Sequence, residues 1–127
     1  MPRFCVDKIA GALNDDARAV RGSRVGIIGV SYKAGVGDVR ESPAIKIMDE
    51  LAKRGAKLSY HDPYVPAMSG FGLRNRPLDE MLADCDVVAI VTVHPELDVD
   101  KVLAEAPLVV DFRGVTSGRS AKRVVRL

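Results

Sequence analysis

Apolar residues recur along this chain with two different periods, and the switches between them mark the elements. From residue 2 to residue 20 the spacing is four: Cys5, Ile9, Leu13 and Ala17, with Phe4, Val6 and Val20 alongside. That spacing predicts a helix over 2–20 with one apolar stripe, and Pro2 suits its first turn. RVGIIGV, residues 24–30, is apolar nearly throughout, as expected of a strand covered on both faces. The helical period returns at Ala44, Ile47, Met48, Leu51 and Ala52. Ser42 and Pro43 predict the start of that helix, and Lys53, Arg54 and Gly55 its end.

Further on, 56–61 reads as a strand stopped by the prolines of DPYVP. Residues 67–76 read as a loop with a short edge strand near Leu73. Residues 77–85 and 98–106 predict helices, and 86–92 and 107–112 predict strands. This alternation predicts an α/β fold: a Rossmann-like three-layer domain with a mostly parallel sheet of four to six strands, preceded by one N-terminal helix. RGSR (21–24) reads as a short linker, so that helix is expected to dock on another domain or subunit. In such sheets ligands bind beyond the carboxyl ends of the strands. Residues 31–41, 61–66, 92–95 and 113–116 belong there.

Composition narrows the picture. The 127 residues, 47% of them apolar, suit one domain. The longest apolar run, residues 25–30, falls far short of the ~20 that a membrane span needs. The N-terminus carries acids among its apolar residues and lacks the core of a secretory signal, so a cytoplasmic location is expected. Two cysteines make no disulfide framework. Cys85 lies between Asp84 and Asp86, which disfavour a thiolate, and both thiols read as small core residues. The net charge of +2 hides an asymmetry: residues 113–127 hold five bases and no acid. The remaining 112 residues are net negative, which argues against a nucleic-acid-binding body.

The chemistry concentrates in GVSYKAGVGDVRESPA, residues 29–44. Its glycines spell neither G-x-G-x-x-G nor a P-loop, so a dinucleotide fingerprint is absent from this turn. Lys33 and Arg40 supply a point charge and a forked donor, which suit a diphosphate. The loop also feeds a helix N-terminus, which favours an anion. Lys33 can equally be a solvated lysine, and Arg40 can pair with Asp38 or Glu41 to pin the loop. Asp38 reads as a turn residue. Asp62 stands where a ribose-binding acid would, although Pro63 favours a turn cap. His61 and His94 lack partners at metal spacing, so no metal is expected. Arg113, directly after the last strand, belongs to the same mouth as Lys33.

GVSYKAGVGDVRESPA, GAKLSYHDPYVP, DVVAIVTVHPEL and LVVDFRG follow one another in an order that resembles the C-terminal domain of the UDP-glucose/GDP-mannose dehydrogenase family. MPRFCVDKIAGALND resembles the end of the helix joining that family's central domain to this one. The MP-x-x-x-V and YHDPYVP segments lean towards the branch acting on UDP-N-acetylhexosamines. The resemblance implies a linker helix over 1–22, a UDP-sugar-binding domain over 23–127 and a flexible tail over 119–127. It implies an enzyme that oxidises the sugar C6 hydroxyl to a carboxylate, with NAD bound by a separate N-terminal domain and the catalytic cysteine in a central one. Tyr32, Lys33 and Arg113 would contact the UDP-sugar, and Arg40 would support the loop or the substrate. Alone, such a chain should not turn over. The partners implied are a UDP-sugar, the other domains and a homo-oligomer through the first helix, with no nucleic acid and no membrane. The alternative is a non-catalytic oligomerisation or stand-alone nucleotide-binding module. Where the family loop has Lys-Pro, this chain has Lys33-Ala34 followed by Gly35 and Gly37, and a more flexible loop is expected.

Overall fold

The computed structural model describes residues 2–119 and 123–126. Helix α1 (Pro2–Asp15) leads to β1 (Arg24–Ile28), α2 (Pro43–Lys53) and β2 (Lys57–His61). A small hairpin follows, β3 (Ala67–Met68) and β4 (Leu73–Arg74), joined by a 3-10 turn. Then come α3 (Leu78–Asp84), β5 (Val87–Ile90), α4 (Val99–Glu105), β6 (Val109–Asp111) and β7 (Val124–Arg126). Five strands form one parallel sheet in the order β2-β1-β5-β6-β7. After β2 the chain crosses β1 and continues on its other side. The strand order therefore reverses between β1 and β5, and a crevice opens at their carboxyl ends.

Alternating side chains divide the core in two. Val25, Ile27, Val87, Ala89 and Val110 face α1 and α2, packing with Ile9, Leu13, Ile47 and Leu51. Ile28, Val88, Ile90 and Val109 face Met81, Leu82 and Val102 of α3 and α4. Helices on both faces explain why β1 and β5 are apolar without alternation. α2 is capped as expected: Ser42 Oγ accepts the Ala44 N–H at 3.2 Å, and Gly55 follows the Arg54 cap with φ 90°.

Three expectations need correction. α1 ends at Asp15, five residues early. Ala17 turns left-handed (φ 59°), and its N–H and that of Arg18 bond back to Asn14 and Leu13, closing the helix by a C-terminal cap that period alone does not reveal. The stripe of α1 is also used differently. Ile9 and Leu13 are fully buried in the chain's own core, so they offer no surface to another subunit. Finally, a flexible tail was expected from residue 119, but Val124–Arg126 pair in parallel with Val109–Asp111. Arg123 pairs with Asp16, Arg119 with Asp100, and Arg126 donates to the Thr116 carbonyl and hydroxyl at 3.0 Å each. These three arginines are held by ion pairs and hydrogen bonds. Residues 120–122 and 127 of that tail lie outside the described residues.

Candidate functional site

The turn leaving β1 is held by a single carboxylate. Asp62, fully buried just past β2, accepts the Val30 and Ser31 N–H groups through Oδ2 at 2.9 and 3.1 Å. Its Oδ1 accepts the Tyr64 N–H at 2.9 Å, which is the turn cap that Pro63 suggested. The same Oδ1 receives His94 Nε2 at 2.9 Å. Neighbouring strands β2, β1 and β5 thus bring residues 62, 30–31 and 94 together. Ser31, His94 and Asp62 do not form a nucleophilic triad. Ser31 and Asp62 share one ring nitrogen, whereas a relay needs one on each.

The glycine loop is better tethered than expected. The Gly35 N–H donates to His94 Nδ1 at 2.9 Å, and the Tyr32 N–H reaches the Asp38 carbonyl at 2.6 Å. A Cβ on Gly37 would lie 2.4 Å from the Tyr64 carbonyl oxygen, so the loop backbone packs directly on the 62–64 turn. The Ser31 carbonyl accepts from Thr92 Oγ1 (3.0 Å) and Ser42 Oγ (3.3 Å), joining the loop to β5 and to the start of α2. Gly37 permits this close approach, which a side chain would block.

Tyr32 and Lys33 project from this loop into a cleft of about 330 Å³ that Arg113 also lines, together with Pro43 at the start of α2. Tyr32 is 54% exposed. Lys33 and Arg113 are exposed, and neither side chain has a hydrogen-bond or ion-pair partner among the described residues. The two cations expected at one mouth do share one cleft. Arg40 does not join them. It forms an exposed pair with Asp38 at 2.8 Å, beside the cleft on the far side of Tyr32. The Arg40 guanidinium, helped by its backbone N–H, lowers the Asp38 carboxyl to about 2. The loop-pinning alternative for Arg40 is the one found, at a solvent-screened site.

Arg113 is presented by Asp111, a buried residue at the end of β6. Burial pushes the Asp111 carboxyl up. The Thr116 hydroxyl and the N–H groups of Thr116, Arg113 and Gly114 outweigh that and hold it below the ordinary value. A depressed carboxyl stabilises the fold above its unfolded value, about 3.9, and that contribution disappears as pH falls through the lower folded value. Wild type should therefore be more stable than Asp111→Asn at neutral pH, with the gap closing as urea midpoints are followed below about pH 4. A gap constant with pH would contradict this role.

Neither thiol lines this cleft. Burial pushes the Cys85 thiol up, with its Sγ 3.4 Å from Ser59 Oγ, and burial does the same to the half-buried Cys5. The crevice also does not fit NAD. The Val30 and Ser31 amides that would face a pyrophosphate are taken by Asp62. The space a phosphate would need beside Gly29 is filled by the Thr92 carbonyl. A second cavity of about 90 Å³ on the α3 side has Glu96 and Asp98 in its lining with His61, Ile28, Leu78 and Leu97, a poor match for phosphate. Sequence reasoning set His94 aside as a metal ligand without finding its role. The available signal was its place after β5, which pairs with β1 as β2, the strand before Asp62, does.

A doubly wound parallel sheet with a cation-lined cleft at its carboxyl edge defines a nucleotide-binding type of α/β domain. The model of the UDP binding domain of the UDP-glucose/GDP-mannose dehydrogenase family matches residues 26–118, and the chain belongs to that family. It is 31% identical to a UDP-glucose 6-dehydrogenase of Rickettsia conorii, covering 97% of this chain and 30% of that protein. It is 34% identical to a UDP-N-acetyl-D-mannosamine dehydrogenase of Methanocaldococcus jannaschii, covering 76% of this chain and 21% of that protein. Among solved structures, a UDP-glucose dehydrogenase from Pyrobaculum islandicum superposes with a TM-score of 0.75 at 27% identity, covering 97% of this chain and 29% of that one. The chain spans under a third of each relative's length.

Proposed function

We propose that this domain binds the UDP portion of a nucleotide sugar, with Lys33 and Arg113 as the principal phosphate contacts and Tyr32 beside them. The observation that carries the reading is the pair of cations, without partners among the described residues, lining one cleft next to the α2 N-terminus. Arg40 has a lesser part, because Asp38 already occupies its guanidinium. The catalysis proposed is that of the whole enzyme, an NAD-dependent oxidation of the sugar C6 hydroxyl. This chain would contribute the nucleotide clamp to it, with the catalytic groups supplied by the other domains. NAD would be held outside these residues. A cytoplasmic setting fits the free thiols of Cys5 and Cys85.

Titration calorimetry with UDP on the full chain, and on a longer protein that contains it, tests this. Lys33→Ala and Arg113→Ala should each weaken binding about tenfold to a hundredfold, as expected for a charge-assisted bond to phosphate. Arg40→Ala should change it by no more than about threefold. Affinity should also fall as salt is raised. Unchanged affinity in both cation variants of the longer protein would remove Lys33 and Arg113 from the site.

A further inference from the structure

His94 is nearly fully buried, and its ring bonds through both nitrogens. The partners dictate the tautomer. A backbone N–H can only donate, so Nδ1 must accept from Gly35. The ring proton is then on Nε2, which bonds Ser31 Oγ at 3.1 Å and lies 2.9 Å from Asp62 Oδ1. The Ser31 hydroxyl in turn donates to the Lys33 carbonyl at 3.0 Å. One ring therefore holds the loop on both sides of Lys33. Tyr64 stacks on the ring with centroids 4.2 Å apart, which fixes its plane.

We infer that His94 is a positioning residue: its neutral ring fixes the Tyr32–Lys33 segment against the Arg113 side of the cleft, and protonation of Nδ1 releases that segment. Protonation would turn Nδ1 into a donor facing the donor of Gly35, so the tether cannot survive it. The charged and titratable groups around the ring are Asp62 and Tyr64 from the turn after β2, Glu96 from the segment after β5, bonded to the Tyr64 hydroxyl at 2.6 Å, and His61 and Asp98 across the small cavity. None of them can replace the acceptor lost at Nδ1, because that acceptor is a ring atom held against the loop. The consequence for ligand binding rests on the nucleotide reading above; the tether itself does not.

Two substitutions separate the halves of the ring. In His94→Asn the amide oxygen stands near the position of Nδ1 and keeps an acceptor for Gly35. In His94→Gln the amide reaches towards Asp62 and Ser31 and leaves Gly35 without one. The full chain is followed by NMR, reading Gly35 amide exchange and the His94 ring nitrogens across pH. In wild type, Gly35 protection should fall in step with ring protonation. At neutral pH, Gly35 should exchange about fivefold to tenfold faster in His94→Gln than in wild type, the value of one hydrogen bond. In His94→Asn the protection should persist and lose its pH dependence. UDP affinity in the same samples should follow Gly35 protection. If His94→Gln protects Gly35 as wild type does, or wild-type protection ignores ring protonation, the tether is overturned. If Gly35 behaves as expected while wild type fails to bind UDP within the longer protein, the nucleotide reading fails and the tether stands.

Discussion

Gly29→Ala should destabilise the domain by about 3–5 kcal/mol, the combined effect of a left-handed alanine and an overpacked contact. Gly29 has φ 82°, and a Cβ there would lie 1.9 Å from the Thr92 carbonyl oxygen and 2.6 Å from its carbon. Relief would require the turn after β1 to move away from β5, where the Val91 and Thr92 N–H groups are bonded to the Ile28 carbonyl. Gly35→Ala is the matched control. It has nearly the same backbone angle, φ 79°, but nothing within 4 Å of the added carbon. Its effect should be confined to the backbone term, about 1–2 kcal/mol. Urea unfolding of the two variants measures the difference. Equal losses would mean that Gly29 is needed only for its dihedral angle, and that β1 and β5 do not approach as described.

Asp62→Ala should produce the largest loss among side-chain deletions, again about 3–5 kcal/mol, because a buried carboxylate leaves several donors behind. Val30, Ser31 and Tyr64 would each lose the acceptor for a backbone N–H, and His94 Nε2 would lose the carboxylate beside it and keep only Ser31 Oγ. Asp62→Asn keeps the size and one oxygen but turns an amide N–H₂ towards these donors. It should fall between wild type and alanine. Equilibrium unfolding supplies the ranking, and a loss below about 1 kcal/mol for the alanine variant would show that water readily replaces the carboxylate. The same deletion should loosen the Lys33 loop, since the turn that launches it is bonded to Asp62 before it reaches the cleft.

Much of the architecture was legible in the order of residues. The strands that become β1, β2, β5 and β6 announced themselves as short apolar runs, and α2 by its period together with Ser42, Pro43 and Gly55. Boundaries were less legible. The end of α1 depended on Ala17 adopting a conformation that alanine rarely takes. β7 escaped because three residues, Val124, Val125 and Arg126, carry too short a pattern to stand out from a basic tail. The β3 half of the hairpin escaped for the same reason, at two residues. Within the site, Tyr32, Lys33 and Arg113 were found as residues that end up at one mouth. Arg40 was grouped with them, and its pairing with Asp38 was visible only as an alternative. His94 was missed as a tether because its partners lie 32, 59 and 63 positions away.

Periodicity and punctuation along the chain were enough to establish a layered parallel sheet and to assign the loops to its carboxyl edge, because helix and strand periods are local properties of neighbouring side chains. Family membership was likewise carried by the order of short segments. Which side chains remain free was settled only by folding. Arg40, Arg119 and Arg123 found acids, Arg126 found Thr116, the stripe of α1 found the core, and Lys33 and Arg113 were left facing one cleft. Pairing depends on distances between residues far apart in sequence. Those distances follow from the strand order β2-β1-β5-β6-β7, which no local pattern encodes.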